Sequence, residues 1–391
     1  MRVAIVGGGI GGLTAAIALR KVGIDAVVYE QASRLGEVGA GIGVAPNGLR
    51  AYEGLGLRPA IEEVAARYGD GSVYYRADGG LIGDMTTADS SGRYFTLGLH
   101  RADLVGVLTS ALPAEAVRTG SRLTRLVDRG AEVELAFEDG SATADVVVGA
   151  DGIHSVVREV VTSPAEPVPS GSIAYRGLVP AESLPDWPNG IAQLWMGDGK
   201  HFLTYPVRRG EFVNYVGFVP SDERLKESWS APGSVESLRA DFAGWDPRVE
   251  GLLEQVEQTF WWGLYDREPL DRWSRGRITL LGDAAHAMLP HLGQGANQAV
   301  EDGITLATLL EGVDGSDTSA VAEALLRYER VRLERTTTVQ RGARDNGRRY
   351  DSGYEDLGVR DAEIKDSRSF RLGLYDFDAA AVARASAVPL S

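Results

Sequence analysis

The chain has 391 residues, 44% of them hydrophobic and 24% charged, a composition that suits a globular enzyme, and it has no cysteine, which excludes disulfides, thiol redox catalysis and cysteine metal sites. Its formal charge of −15 argues against nucleic acid or an anionic membrane as the main partner, while a local arginine can still hold a small anion. No window holds 18 uninterrupted apolar residues, so no membrane-spanning helix is expected.

Arg2 to Val6 is a β-branched apolar run followed by Gly7-Gly8-Gly9-Ile10-Gly11-Gly12 and a helix-like segment closing at Gly23. The glycines interrupt what otherwise resembles a signal peptide, and a cytoplasmic location is expected. Asp25 to Tyr29 is a second apolar strand, and Glu30 ends it. Strand, glycine turn, helix, strand and acid form the dinucleotide fingerprint in its full context. Gly7 makes the tight turn, Gly9 lets backbone approach a pyrophosphate, and Gly12 lets helix pack on strand. Glu30 is placed to accept hydrogen bonds from a ribose.

From Ser72 the pattern changes. VYYRADGGLIGDM predicts a hairpin turning at Asp78-Gly79, the start of a second, antiparallel sheet. His100 to Leu104 opens a helix. VELAFEDGSATADVVVGADG predicts a hairpin at Asp139-Gly140, then a buried strand and a Gly-Ala-Asp-Gly turn. Between about 170 and 265, alternating segments rich in Trp, Tyr and Phe predict a half-buried antiparallel sheet, the wall of a substrate pocket.

Ile278 to Leu281 reads as a strand buried on both faces. Gly282-Asp283 then leaves a carboxylate at its carboxyl end, where open α/β sheets bind ligands. The loop Gly293-Gln294-Gly295 leads into a helix from about Ala296, whose first N–H groups point at whatever the loop holds. A polyol-gripping Asp beside an anion-stabilising helix start suits a flavin. After Ser319 the pattern is helical, with eight Arg against four Asp or Glu between Ala320 and Arg349. That run reads as a solvated helix face packed on the body. The tail from Asp351 is either a docked extension or a partner contact.

GGGIGG at Gly7–Gly12, GADGIHSVVR at Gly149–Arg158 and GDAAHAMLPHLGQGANQAVED at Gly282–Asp302 stand in that order. Together they resemble the class A flavoprotein monooxygenases, the family of para-hydroxybenzoate hydroxylase. The stretch YDREPLDRWSRGRITLLGDAAHAMLPHLGQGANQ looks most like the salicylate hydroxylase and 3-hydroxybenzoate 6-hydroxylase branch. The resemblance implies an α/β fold: a Rossmann-like FAD-binding domain (1–71, 100–168 and 269–318), an inserted mostly antiparallel β-sheet substrate domain (72–99 and 169–268) and a C-terminal helical region (319–391).

It also implies non-covalent FAD, with NAD(P)H as a transient co-substrate because no second fingerprint exists, and O2. Gly7, Gly9, Gly11 and Gly12 would line the pyrophosphate and Glu30 the adenosine ribose. Gly43 and Leu123 match positions giving backbone contacts, and Arg101 an arginine that reaches the flavin. Asp283 would grip the ribityl chain, and Gly293, Gln294, Gly295, Ala296 and Asn297 would lie along the isoalloxazine. Asp151 is linked in the family to FAD and the pyridine nucleotide; a cap for its own turn is the other reading.

The implied reaction is hydroxylation of a phenolic or hydroxybenzoate-like (salicylate-type) ring through a C4a-hydroperoxyflavin, in a site that excludes water and carries a general base. His201 and Tyr205, four apart on one strand face, match a His and Tyr that point at the phenol. Relatives acting on urate carry an arginine at the His201 position. His291 matches a residue proposed as the substrate-facing base in salicylate hydroxylases. For both histidines a purely structural role is the other reading. Pro290 departs from a substrate-facing glutamine, and Arg176 and Arg208 are candidates for a benzoate carboxylate. No metal is expected at Asp283, His286 and His291, and His154 is read as a turn residue. Rival functions are a monooxygenase or epoxidase tailoring a larger natural product, and a non-catalytic flavin-binding protein. The expected assembly is a monomer or homodimer binding a small aromatic, with neither nucleic acid nor membrane as partner.

Overall fold

Short apolar runs that must be buried on both faces form the centre of a six-stranded sheet in the computed structural model, which describes residues 1–36, 41–163, 166–197, 199–221, 231–351 and 353–387. Across this sheet the strands are Ser274–Arg275, Ile278–Leu280, Val146–Gly149, Arg2–Val6, Asp25–Tyr29 and Val117–Arg118. All neighbours are parallel except the edge pair of Ser274–Arg275 with Ile278–Leu280. Val6 pairs with Gly149, and Gly149 with Leu280. Three strand ends therefore lie side by side, each followed by one of the three motifs.

The fingerprint helix Ile10–Lys21 and the glycine-loop helix Gly295–Leu310 cross at small residues. A Cβ on Gly303 would sit 3.0 Å from the backbone of Ala15, and one on Gly11 would sit 2.9 Å from the Cβ of Ala299. Helix axes come this close only where side chains are absent or small. The two cofactor motifs are thus locked together from behind.

The second sheet has eight strands in the order Ala231–Gly233, Thr259–Asp266, Val168–Pro180, Phe212–Pro220, His201–Val207, Gln193–Met196, Val73–Arg76 and Leu81–Asp84. It is antiparallel except where Gln193–Met196 runs parallel to Val73–Arg76. The hairpin over Asp78-Gly79 forms as expected. Alternation then sorts the side chains. Phe202, Trp195 and Tyr215 join a core with Leu238 and Leu252 of the helices Val235–Asp241 and Pro247–Glu254. His201, Leu203 and Tyr205 take the opposite face. His201 does not stand at a sheet edge, since its strand is paired on both sides.

The C-terminal region is a 34-residue helix, Thr318–Asp351, and three shorter ones, Leu357–Asp366, Arg368–Tyr375 and Ala379–Ala387. The tail after Asp351 is a docked extension, with Ile364, Leu374, Tyr375 and Ala383 buried against the body; residues 388–391 lie outside the described residues. The expectation of a solvated arginine face needs correcting. Arg332 is fully buried and Arg335 partly so, because Glu301 and Asp302 on the glycine-loop helix supply their counter-charges. No helix among the described residues is long and apolar enough to cross a membrane.

Candidate active site

The fingerprint turn is cut to fit a ligand at one glycine and to fit the protein at two others. Gly7 has φ +110°, and a Cβ there would lie 2.2 Å from the carbonyl oxygen of Ala150. One on Gly12 would lie 2.0 Å from the oxygen of Gly7, whereas one on Gly9 would meet nothing within 4 Å. The space beside Gly9 opens into a cavity of about 350 Å³ that Gly7, Glu30, Leu123 and Asp151 also line. Gly11 faces Leu281 and Ala299 and serves the helix crossing. Tyr29, Gln31, Arg122 and His154 line the cavity too, of which only His154 stood out in the sequence, as a turn residue. Glu30 accepts from the N–H of Gly8 and of Ala32, both at 2.7 Å, which fixes the acid at the cavity wall.

Asp151 follows the neighbouring strand. Its carboxylate accepts from Ser155 Oγ at 2.5 Å and from the N–H of Val156 and Val157 at 2.8 and 3.1 Å. It therefore caps the helix Val156–Val161 while lining the cavity. Burial pushes its carboxyl up despite those bonds. Arg158, the last residue of the motif, reaches across to the carbonyls of Ala284 at 2.9 Å and Asp283 at 3.4 Å. Burial, with Arg267 nearby, brings its guanidinium down to about 10.

Gly282, with φ +60°, makes the third turn, and Asp283 begins the short helix Asp283–His286 with its side chain exposed. The turn hangs on a buried charge network. Asp302 accepts from Gly282 N–H at 2.9 Å and Arg332 Nε at 2.7 Å, and contacts His286 Nε2 at 2.6 Å. Glu301 accepts from Arg332 at 2.6 Å and from Arg335 and Asn47 at 2.7 Å. Burial pushes both carboxyls up, but the facing cations overcome it and hold them below the ordinary range. Sequence reading did not find this network, because its partners belong to four separate helices.

The glycine loop is pinned by side chains that turn inward. Gln294 is buried and accepts from Asn47 at 3.0 Å and Gln298 at 3.1 Å. Asn297 donates to the carbonyls of Gly43 at 3.0 Å and Gly293 at 2.8 Å, and accepts from Ala45 N–H at 2.9 Å. Both side chains therefore bind protein, so backbone is what these two residues offer a cofactor. Gly43 belongs to the strand Gly41–Val44, which pairs with Leu97–His100, and Arg101 follows directly.

The inner face of the large sheet carries the predicted catalytic side chains. His201 Nδ1 lies 2.5 Å from Asp351 Oδ1. The His201 ring stacks on Phe218 at 4.0 Å and lies 5.2 Å from the rings of both His291 and Tyr350. His201 and His291, 90 positions apart, thus come together with two residues that sequence reading missed, Tyr350 and Asp351. Burial, then the neighbouring His201, lowers His291 well below the ordinary imidazole value. Tyr205 sits roughly 13 Å further along the strand, four residues at about 3.3 Å each. Its ring is 5.7 Å from Tyr68, and its hydroxyl and Asn214 hem in Gly41. Asn214 Oδ1 accepts from Gly41 N–H at 2.9 Å, while its buried Nδ2 finds no partner among the described residues.

The arginine candidates separate. Arg208 is tied to Asp103 at 2.8 and 3.0 Å, so it is already neutralised. Arg176 is buried over the ring of Trp262 at 4.8 Å. No cluster able to hold a metal ion occurs among the described residues.

The residues fit FAD. The cradle beside Gly9 has no side chain to fill it. Neither the fingerprint helix nor the glycine-loop helix has a side-chain cap, so first-turn N–H groups at both are left for anionic or polar groups such as FAD carries.

A model of the FAD binding domain family matches residues 1–343. The chain is 42% identical over 353 residues to a 3-amino-4-hydroxybenzoate 2-monooxygenase of Streptomyces cremeus, covering 88% of this chain and 86% of that one. It is 36% identical over 358 residues to a 6-hydroxynicotinate 3-monooxygenase of Pseudomonas fluorescens, covering 88% and 91%. A salicylate hydroxylase solved as a substrate complex superposes with a TM-score of 0.86 at 29% identity, covering 100% of this chain and 98% of that one. The chain belongs to the FAD binding domain family, in its branch of FAD-dependent, NAD(P)H-consuming monooxygenases that hydroxylate aromatic rings.

Proposed function

We propose that the substrate is a small aromatic ring carrying both a hydroxyl and a carboxylate, a hydroxybenzoate or its pyridine counterpart. The observation that carries this reading is the His201–Asp351 pair beside His291 on the inner face of the sheet, a proton-handling group walled by Phe218, Tyr350 and Leu203. The names of the relatives point the same way, since each denotes a ring with those two substituents.

FAD, when bound, supplies the redox chemistry that takes electrons from NAD(P)H and activates O2. The chain's own residues do the rest. Asp351 accepts a hydrogen bond from Nδ1–H of His201, which holds the proton on Nδ1 and leaves Nε2 to take the proton of the ring hydroxyl. A deprotonated hydroxyl makes the ring electron-rich, as electrophilic oxygen transfer requires. His291 is kept neutral by burial, so the proton passes to His201 rather than to it. Tyr205, beside Gly41 at the other end of the row, orients the ring, and the apolar walls exclude water.

The test is anaerobic mixing of the FAD-loaded protein with NADH or NADPH while flavin bleaching is followed. A hydroxybenzoate or hydroxynicotinate should accelerate reduction. If no such acid does so, while larger polycyclic phenols do, the substrate reading is wrong.

A further inference from the structure

Arg371 lies on the helix Arg368–Tyr375, beyond the residues the family model covers. It is partly buried, and its side-chain hydrogen bonds run to two phenols, Tyr350 Oη and Tyr375 Oη, both at 3.4 Å. Such contacts are longer than the usual range of about 2.7–3.2 Å for N–H···O. Tyr350 in turn packs on Tyr74, with ring centroids 6.5 Å apart. Four other buried or partly buried arginines of this region are neutralised: Arg332, Arg335, Arg344 and Arg360 each pair with a carboxylate at 3.3 Å or less. Arg371 pairs with no carboxylate among the described residues.

Its position matters as much as its missing counter-charge. Tyr350, which Arg371 touches, is the ring beside His201. Further along the strand, Tyr68 packs on Tyr205. Leu203, between His201 and Tyr205 on the strand, packs against both groups. The guanidinium therefore lies one ring away from His201, at the His201 end of the row His201, Leu203, Tyr205. A cation held among neutral phenols in partly buried surroundings is under-compensated, and an anion that reaches it gains a charge-assisted, two-pronged contact.

We propose that Arg371 is the substrate-binding residue that receives the ring carboxylate, delivered by the C-terminal extension onto the sheet face. The assignment rests on the preceding reading that the substrate carries a carboxylate. It makes the tail after residue 343 a specificity element.

The test is calorimetric binding of matched pairs to the FAD-loaded protein: 3-amino-4-hydroxybenzoate against 2-aminophenol, and salicylate against phenol. Removing one partner of a desolvated charge pair is worth about 30-fold or more in affinity. Arg371→Gln should therefore weaken both acids by about that factor and leave both phenols within about twofold, with the melting temperature unchanged. Arg371→Lys, which keeps charge but loses the fork, should fall between, and it stands in if Arg371→Gln does not fold. Equal weakening of acids and phenols, or selective loss of acid binding in Arg176→Gln instead, would overturn the assignment. Wild-type protein that is indifferent to the carboxylate defeats the functional reading itself. A wild-type preference for acids that survives Arg371→Gln defeats this assignment alone.

Discussion

Asp351, at the end of the long C-terminal helix, meets Nδ1 of His201 at 2.5 Å across 150 residues of sequence. A carboxylate in that position selects the tautomer with its proton on Nδ1 and leaves Nε2 as an acceptor. Asp351→Asn can present an amide N–H instead and reverse the choice. Hydroxylation should fall by about tenfold, with FAD affinity and the rate of flavin reduction preserved. Asp351→Glu should recover part of the loss. Product yield per NAD(P)H in the three proteins checks this; equal yields would assign Asp351 to helix docking alone.

Two glycines of the fingerprint should fail in opposite ways. A Cβ on Gly9 meets nothing within 4 Å, so Gly9→Ala should leave the apoprotein as stable as wild type while weakening FAD binding. A Cβ on Gly12 would meet the carbonyl of Gly7 at 2.0 Å, so Gly12→Ala should cost about 1–3 kcal/mol in the apoprotein itself. Denaturant unfolding without FAD, paired with fluorimetric FAD titration, separates the two.

Arg332 holds Glu301 at 2.6 Å and Asp302 at 2.7 Å, and all three are fully buried. Arg332→Met removes the counter-charge that two buried carboxylates share and should cost about 3–5 kcal/mol. Because Asp302 also fixes the Gly282 N–H, the variant should release FAD faster than wild type. Urea midpoints and cofactor dissociation rates measure both effects.

His291 is held neutral by burial and by the adjacent His201. Its folded value is depressed, so its contribution to stability is complete above the ordinary imidazole value of about 6.5 and is lost as pH falls below it. In that window the unfolded chain takes up a proton that the folded one refuses, at up to about 1.4 kcal/mol per pH unit. His291→Gln should flatten the decline between neutral and mildly acidic pH. Unfolding curves at three pH values, wild type against variant, show whether it does.

What could be read from the sequence was whatever local pattern determines. Strand, glycine turn and helix around Gly7–Gly12 follow from steric need at single residues, and so does the strand ending at Gly282. The antiparallel sheet was visible from alternation in His201–Val207 and Phe212–Pro220. Charge pairing across the chain was not. Arg332 looks like any arginine on a solvated helix face until Glu301 and Asp302 are placed beneath it. Asp351 and Arg371 carry no motif, and only the docking of the tail brings them to the sheet face. Arg208 was a reasonable carboxylate ligand until Asp103 proved to neutralise it.

The proposed reaction is oxygen transfer to a ring that bears hydroxyl and carboxylate. Turnover of the FAD-loaded protein with NAD(P)H, isotopically labelled O2 and either 3-amino-4-hydroxybenzoate or salicylate reads it directly. One labelled oxygen atom in the ring product for each NAD(P)H consumed is the expected result. Label found only in peroxide or water with every ring acid, while NAD(P)H is still consumed, would contradict it.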